Sequence, residues 1–89
     1  MSRCYRNGVG ELAPKLILPA AYQDELRRRL AAIEDAPHAV ELDACRREAL
    51  AVVRGLEVAA ALDGVRIERL YVLIDAVATA RAQALEHGA

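Results

Sequence analysis

The sequence is poor in the residues that mark several large protein classes. Its 89 residues include no Trp, no Phe, three Tyr and two Cys. Because Cys4 and Cys45 make a poor disulfide framework, we do not expect a small disulfide-rich secreted domain, and we predict a reducing, cytoplasmic location. No apolar run approaches the roughly 20 residues of a membrane-spanning helix. The N-terminus also lacks the apolar segment of a secretory signal. Because no segment is predicted to span a membrane, no membrane partner is expected.

What is present is typical of one small helical domain. Hydrophobic residues make up 55% of the chain and charged residues 28%. The hydrophobic residues include 19 Ala, beside 24 residues of Leu, Ile and Val. A composition rich in Ala, Leu, Arg and Glu favours α-helix. The formal net charge of −1 argues against binding to nucleic acid or to an anionic membrane through bulk electrostatics.

Apolar spacing and chain breakers predict an all-α, three-helix unit. We expect helices at about 19–35, 39–62 and 65–86, which form one helical domain over residues 19–89. Asp63-Gly64 provides a sharp turn between the second and third helices. Because that connection is short, these two helices are predicted to form a long antiparallel αα-hairpin, with the shorter first helix packed across it.

An N-terminal arm, residues 1–18, precedes the helices. Gly10, Pro14 and Pro19 interrupt any helical period, so we expect an extended or flexible segment. Two interpretations of the arm are open. It packs across the helical body of its own chain, or it binds a partner or a second subunit.

The second helix is apolar on two sides. One side has the heptad-type spacing of a core seam. The opposite side is a stripe of mostly small residues that we expect to mediate self-association: Ala44, Ala51, Gly55, Val58 and Leu62. A helix with two apolar faces needs neighbours on both, and a symmetric homodimer would supply the second neighbour. In the alternative, the first helix and the arm cover the stripe within a monomer.

The sequence shows no constellation of catalytic or metal-binding residues. Cys45 lies in the apolar seam, and neither His38 nor His87 is placed to act as its base. There is no Cys-x-x-Cys, no pair of His four residues apart and no phosphate-binding glycine motif. We therefore expect a protein that is not an enzyme and that uses no cofactor or metal.

Arginine supplies 11 of the 12 basic residues and is the more suggestive feature. Guanidinium groups suit phosphate and carboxylate, so clustered arginines could form a protein-binding or anion-binding surface. The candidates are Arg3, Arg6, Arg27, Arg28, Arg66 and Arg69. In the alternative interpretation these arginines pair with nearby acids on solvated helix faces.

One segment resembles a known DNA-binding family. Residues 57–65 read EVAAALDGV and residues 70–74 read LYVLI, similar to the E-V-A-x-x-L-G-V…V-Y-x-L-I pattern of excisionase-type helix-turn-helix domains. The resemblance implies a helix that enters the major groove, with Arg66 and Arg69 contacting bases or phosphates. The sequence departs from the pattern by an inserted Asp63 and by Arg66 where the family has Ser or Thr.

Three hypotheses of function follow. The leading one is a non-catalytic helical protein that self-associates and binds, regulates or inhibits a protein partner. Its helical pattern is similar to that of small bacterial and prophage accessory proteins, so an accessory or regulatory role of that type is expected. The second is a DNA-binding regulator that uses residues 57–74. The third is a binder of an anionic small ligand, such as a nucleotide, held by arginines between subunits.

Overall fold

A computed structural model describes residues 5–6, 8 and 10–87 of the chain. These residues form three helices, α1 (Ala20–Asp35), α2 (Ala39–Val58) and α3 (Gly64–Glu86), and no strand. α2 and α3 pack as a hairpin, and α1 packs against both of them. The predicted all-α three-helix unit is therefore confirmed. None of the described helices combines the length and the hydropathy needed to cross a bilayer.

The core forms where the helical spacing brings large apolar side chains together. Each helix contributes buried residues three, four or seven positions apart, which places them on one face. The buried residues are Leu26, Leu30 and Ile33 of α1, Leu42, Ala49 and Val53 of α2, and Ile67, Leu70, Ile74 and Ala78 of α3. The C-terminal end of α1 is also bonded to α3, because Arg81 Nε donates a hydrogen bond of 2.8 Å to the carbonyl oxygen of Ala36.

The described part of the arm belongs to the same core. Leu12, Leu16 and Leu18 are buried with the helical residues, and Leu16 is 1% exposed. A tight turn bends the chain, because Leu16 N–H donates to Ala13 O at 3.1 Å. We call residues 13–16 the arm turn. Lys15 occupies its third position with a positive φ of 64°, after Pro14, as in a type II turn.

The second helix ends at Val58, four residues before the expected end at position 62. Ala60 adopts the left-handed conformation with φ of 54°, and its N–H bonds to Glu57 O at 3.0 Å. Ala61 N–H bonds to Leu56 O at 2.9 Å, which completes a Schellman motif. Glycine usually occupies the left-handed position, so a run of alanines carries no recognisable stop signal.

Candidate interaction surface

The side of α2 opposite its core residues stays exposed in the folded chain. Ala51 and Gly55 are exposed, Val40 is 78% exposed and Val58 is 81% exposed, while Ala44 is half-buried. We call these five residues the outer face of α2. Neither α1 nor the described part of the arm covers Val40, Ala51, Gly55 or Val58, which differs from the alternative in which they cover the stripe within a monomer.

Leu62 lies apart from this outer face. Because α2 ends at Val58, Leu62 falls in the connection to α3 and is half-buried against the core. Four of the five residues predicted for self-association therefore share one helix face, and the fifth, Leu62, packs against the core from the connection. The early helix end explains the difference, since a continuous helix would have placed Leu62 in line with Val58.

Charged residues flank the outer face on both sides. At about 100° per residue, Glu41 and Glu48 lie along one flank and Arg47 and Arg54 along the other. Arg47 Nε is 3.3 Å from Asp43 Oδ2, and its side chain is 69% exposed. Glu48 Oε1 is 3.5 Å from Arg29 Nη1 of α1. These pairs are exposed and weak, so both side chains remain available to a partner.

Two of the candidate arginines hold the arm in place. Arg27 Nη2 donates to the carbonyl oxygen of Gly10. Arg69 Nη2 donates to the carbonyl oxygen of Pro14 at 2.7 Å. An irregular segment has backbone carbonyls without helical or sheet partners, and the guanidinium groups satisfy two of them.

Two other candidates pair with acids on their own helix or at its cap. Arg66 Nε is 3.4 Å from Asp63 Oδ1, and Arg28 Nη2 bonds to Glu25 Oε1. Glu25 also accepts from Arg29 Nε at 2.8 Å, and the two arginine hydrogen bonds lower the pKa of the Glu25 carboxyl. This is the paired, solvated arrangement that was the alternative interpretation of the arginines.

Of the two remaining candidates, Arg6 is exposed, and Arg3 lies outside the described residues. Four of the six candidate arginines thus have separate partners at different places in the fold. Arg81 was not among the predicted residues, because no local sequence signal indicates its hydrogen bond to the end of α1.

A polar contact between α2 and α3 was also not predicted from the sequence. The Tyr71 hydroxyl donates to Glu57 Oε1 at 2.8 Å, close to the connection between the two helices. This hydrogen bond to a carboxylate is the main reason why the pKa of Tyr71 is raised. The pair joins residues 14 positions apart, so helical spacing gives no indication of it.

Cys45 is the cysteine among the described residues. Cys45 is half-buried, and its desolvation, followed by the charges of Glu48 and Glu41, raises the pKa of the thiol. A raised pKa disfavours the reactive thiolate. No group of three His, Cys, Asp or Glu residues that could hold a metal ion occurs in the part of the chain that the structure describes.

No family model, curated protein or solved structure gives a significant match to this chain.

The connection between α2 and α3 covers residues 59–63, whereas a helix-turn-helix joins its helices by three or four residues. Arg66 and Arg69, the expected DNA contacts, have protein partners in Asp63 and Pro14. No observation favours the DNA-binding or anionic-ligand hypotheses over self-association.

Proposed function

We propose that this protein is a non-catalytic interaction module that forms a homodimer through the outer face of α2 and, as a dimer, binds and regulates a protein partner. One observation carries the proposal. The core is complete with α1, α3 and the arm, yet Val40 and Val58 at the two ends of the outer face are 78% and 81% exposed. Apolar side chains aligned on one helix face are stabilised when a second apolar face covers them.

The small residues of the outer face suit close approach of a second helix. Helix axes that pack in proteins lie about 8–10 Å apart, and the shortest separations need small side chains at the contact. Ala51 and Gly55 lie between Ala44 and Val58 along the helix. No heavy atom beyond the local helix lies within 4 Å of the position that a Cβ on Gly55 would occupy, so this part of the face is open.

The flanking charges favour a second copy of the chain in parallel orientation. A two-fold axis parallel to α2 brings opposite flanks together, so Glu48 of each copy lies level with Arg47 of the other. A two-fold axis perpendicular to α2 brings like flanks together and would oppose Arg47 to Arg54. Electrostatic complementarity therefore selects the parallel pair.

The first experiment measures mass by light scattering on a sizing column. The wild-type chain is expected to show a mass that rises with concentration from 9.7 kDa toward twice that value. Ala51→Glu places a charge at the centre of the outer face and should return the mass to that of the monomer. Ala32→Glu, an equally conservative change at an exposed position of α1, is the matched control and should leave the dimer intact. A wild-type mass of 9.7 kDa at every concentration would contradict the proposal.

The orientation is tested by exchanging the charges. Arg47→Glu and Glu48→Arg should each weaken the parallel dimer, and the double variant should restore it, since every pair is then reversed. In an antiparallel dimer, Arg47→Glu alone would strengthen association by removing the opposition to Arg54. The dissociation constants of the four proteins separate the two arrangements.

The partner-binding part of the proposal is supported by a second exposed apolar surface. On α3, Val65 and Val72 are 69% and 63% exposed, and Val72 lines a groove with Ala13, Leu73 and Ala76. Val72→Asp should abolish capture of a cellular partner while leaving the mass unchanged, and Ala32→Glu should retain it. If both variants capture the same proteins as the wild type, the groove is not the partner site.

A further inference from the structure

The part of the arm that precedes the arm turn is hydrogen-bonded to α1 and contributes a buried side chain to the core. Arg27 of α1 donates to Gly10 O, and Tyr5 N–H donates to Glu34 Oε1 at 3.1 Å. Leu12, which is 4% exposed, is buried in the core. We call this part the leading segment; its described residues are 5–6, 8 and 10–12. None of these contacts depends on regular secondary structure in the arm, so the described residues of the leading segment are held by tertiary contacts.

The arm turn that joins the leading segment to the rest of the chain is strained. Lys15 has a φ of 64°, a conformation that is unfavourable for a residue with a Cβ. If the turn opened, Lys15 could return to an extended conformation and the strain would be lost. Short connections under strain favour exchange of the attached segment between copies.

We propose that the leading segment also binds α1 of a second copy, in a reciprocal exchange that is hinged at the arm turn. Every copy carries both the leading segment and its site, which is formed by Arg27, Glu34 and the cavity that Leu12 fills. The same contacts are therefore made within a chain or between two chains. A reciprocal exchange closes on itself as a two-fold dimer. With Leu16 still buried, the three Cα–Cα steps from Leu16 to Ala13 span up to about 10 Å once the turn is open, which is the reach available to the exchanged segment.

This contact uses other residues than the outer face of α2, so the two can be tested separately. The exchange is measured in the Ala51→Glu background, where the dimer of the proposed function is absent. Because an exchanged dimer also doubles the mass, the mass test is made with Lys15→Gly added to Ala51→Glu, which suppresses the exchange; a mass that still equals that of the wild type then contradicts the proposed function alone. A failure to find exchanged segments in the Ala51→Glu background contradicts the exchange alone.

The experiment places a photoreactive benzoylphenylalanine at position 11, where Glu11 is exposed within the leading segment. Chains labelled with ¹⁵N and unlabelled chains are mixed, refolded together and irradiated. Mass spectrometry then determines whether each cross-link between position 11 and α1 joins like or unlike isotopes. We expect unlike pairs whose share rises with protein concentration. If every such cross-link joins like isotopes, even at the highest concentration, the exchange does not occur.

Two substitutions at the hinge provide matched controls. Lys15→Gly removes the strain of the closed turn and should lower the share of unlike pairs by roughly tenfold or more, since two turns open in each exchanged dimer. Lys15→Pro cannot adopt a positive φ and should raise that share. Equal shares in the wild type and Lys15→Gly would overturn the assignment of the hinge. Circular dichroism checks that Lys15→Pro folds; if it does not, the wild type and Lys15→Gly decide the question.

Discussion

The arm and the outer face of α2 are both apolar, yet the fold treats them in opposite ways. The described residues of the arm form no regular secondary structure, and three of its leucines are buried in the core. The outer face is part of a regular 20-residue helix, and its Val40 and Val58 are mostly exposed. The difference shows that neither hydrophobicity nor helical regularity decides burial. What decides it is whether the rest of the chain has a surface left to cover a given residue.

The largest effect is expected from truncation of the arm's central leucine. Leu16→Ala should lower the free energy of unfolding by about 2–5 kcal/mol, as for a buried leucine in a helix, because it leaves a cavity in the core. Val58→Ala on the outer face should change it by no more than about 0.5 kcal/mol. Urea denaturation at a concentration below dimerisation measures both, with Leu30→Ala as the reference for the helical core. If Leu16→Ala costs as little as Val58→Ala, the arm does not belong to the core.

A smaller effect is expected at the two described residues other than glycine that have a positive φ. Lys15 lies in the arm turn and Ala60 lies just beyond the outer face of α2. Lys15→Gly and Ala60→Gly should each raise the free energy of unfolding by about 1 kcal/mol, because glycine adopts these conformations without a Cβ penalty. Ala59→Gly is the control: its φ of −78° is ordinary, so glycine there should destabilise the protein. Destabilisation by Ala60→Gly would show that the Schellman turn does not form in solution.

The smallest effect concerns the hydrogen-bond partners of the arginines, which are backbone carbonyls in the arm and a carboxylate on α1. Arg27 and Arg69 bind backbone carbonyls of the arm, which do not titrate, whereas Arg28 and Arg29 bind the carboxylate of Glu25. The lowered pKa of Glu25 means that its pairing stabilises the fold above its ordinary pKa of 4.5 and that this stabilisation is lost as the pH falls through the lower, folded-state value.

Glu25→Gln should therefore flatten the decrease in urea midpoint between pH 5 and pH 3. Asp24→Asn, which removes the neighbouring exposed carboxylate, serves as the control and should flatten it less. An identical pH profile for the wild type and Glu25→Gln would show that the arginine pairs on α1 do not persist in solution.

The three helices could be predicted from the sequence because their core residues recur at helical spacing. Ile67, Leu70 and Ile74 are an example, since each lies three or four residues from the next and all three are buried. The end of α2 could not be predicted, because Ala60 in a left-handed conformation has no sequence signature. Because α2 ends before Leu62, that residue lies at the edge of the core and not in the expected self-association stripe.

The candidate site was predicted in part for the same reason. Ala44, Ala51, Gly55 and Val58 share a face of α2 by spacing alone, so their alignment could be foreseen. The arginines were not predictable in this way. Arg69 and Pro14 are 55 positions apart, and Arg81 and Ala36 are 45 apart, so only the folded chain brings each guanidinium to its carbonyl.

The sequence by itself determined that this protein is helical, where its helices lie to within a few residues, and that α2 is apolar on two sides. Those properties are local, because they follow from the periodicity of side chains along a helix. Only the tertiary structure decided which of two apolar surfaces is buried. Leu12, Leu16 and Leu18 of the arm complete the core with α1 and α3, so nothing in the described chain remains to cover Val40 and Val58. Burial depends on contacts between distant residues, and helical spacing contains no information about those contacts.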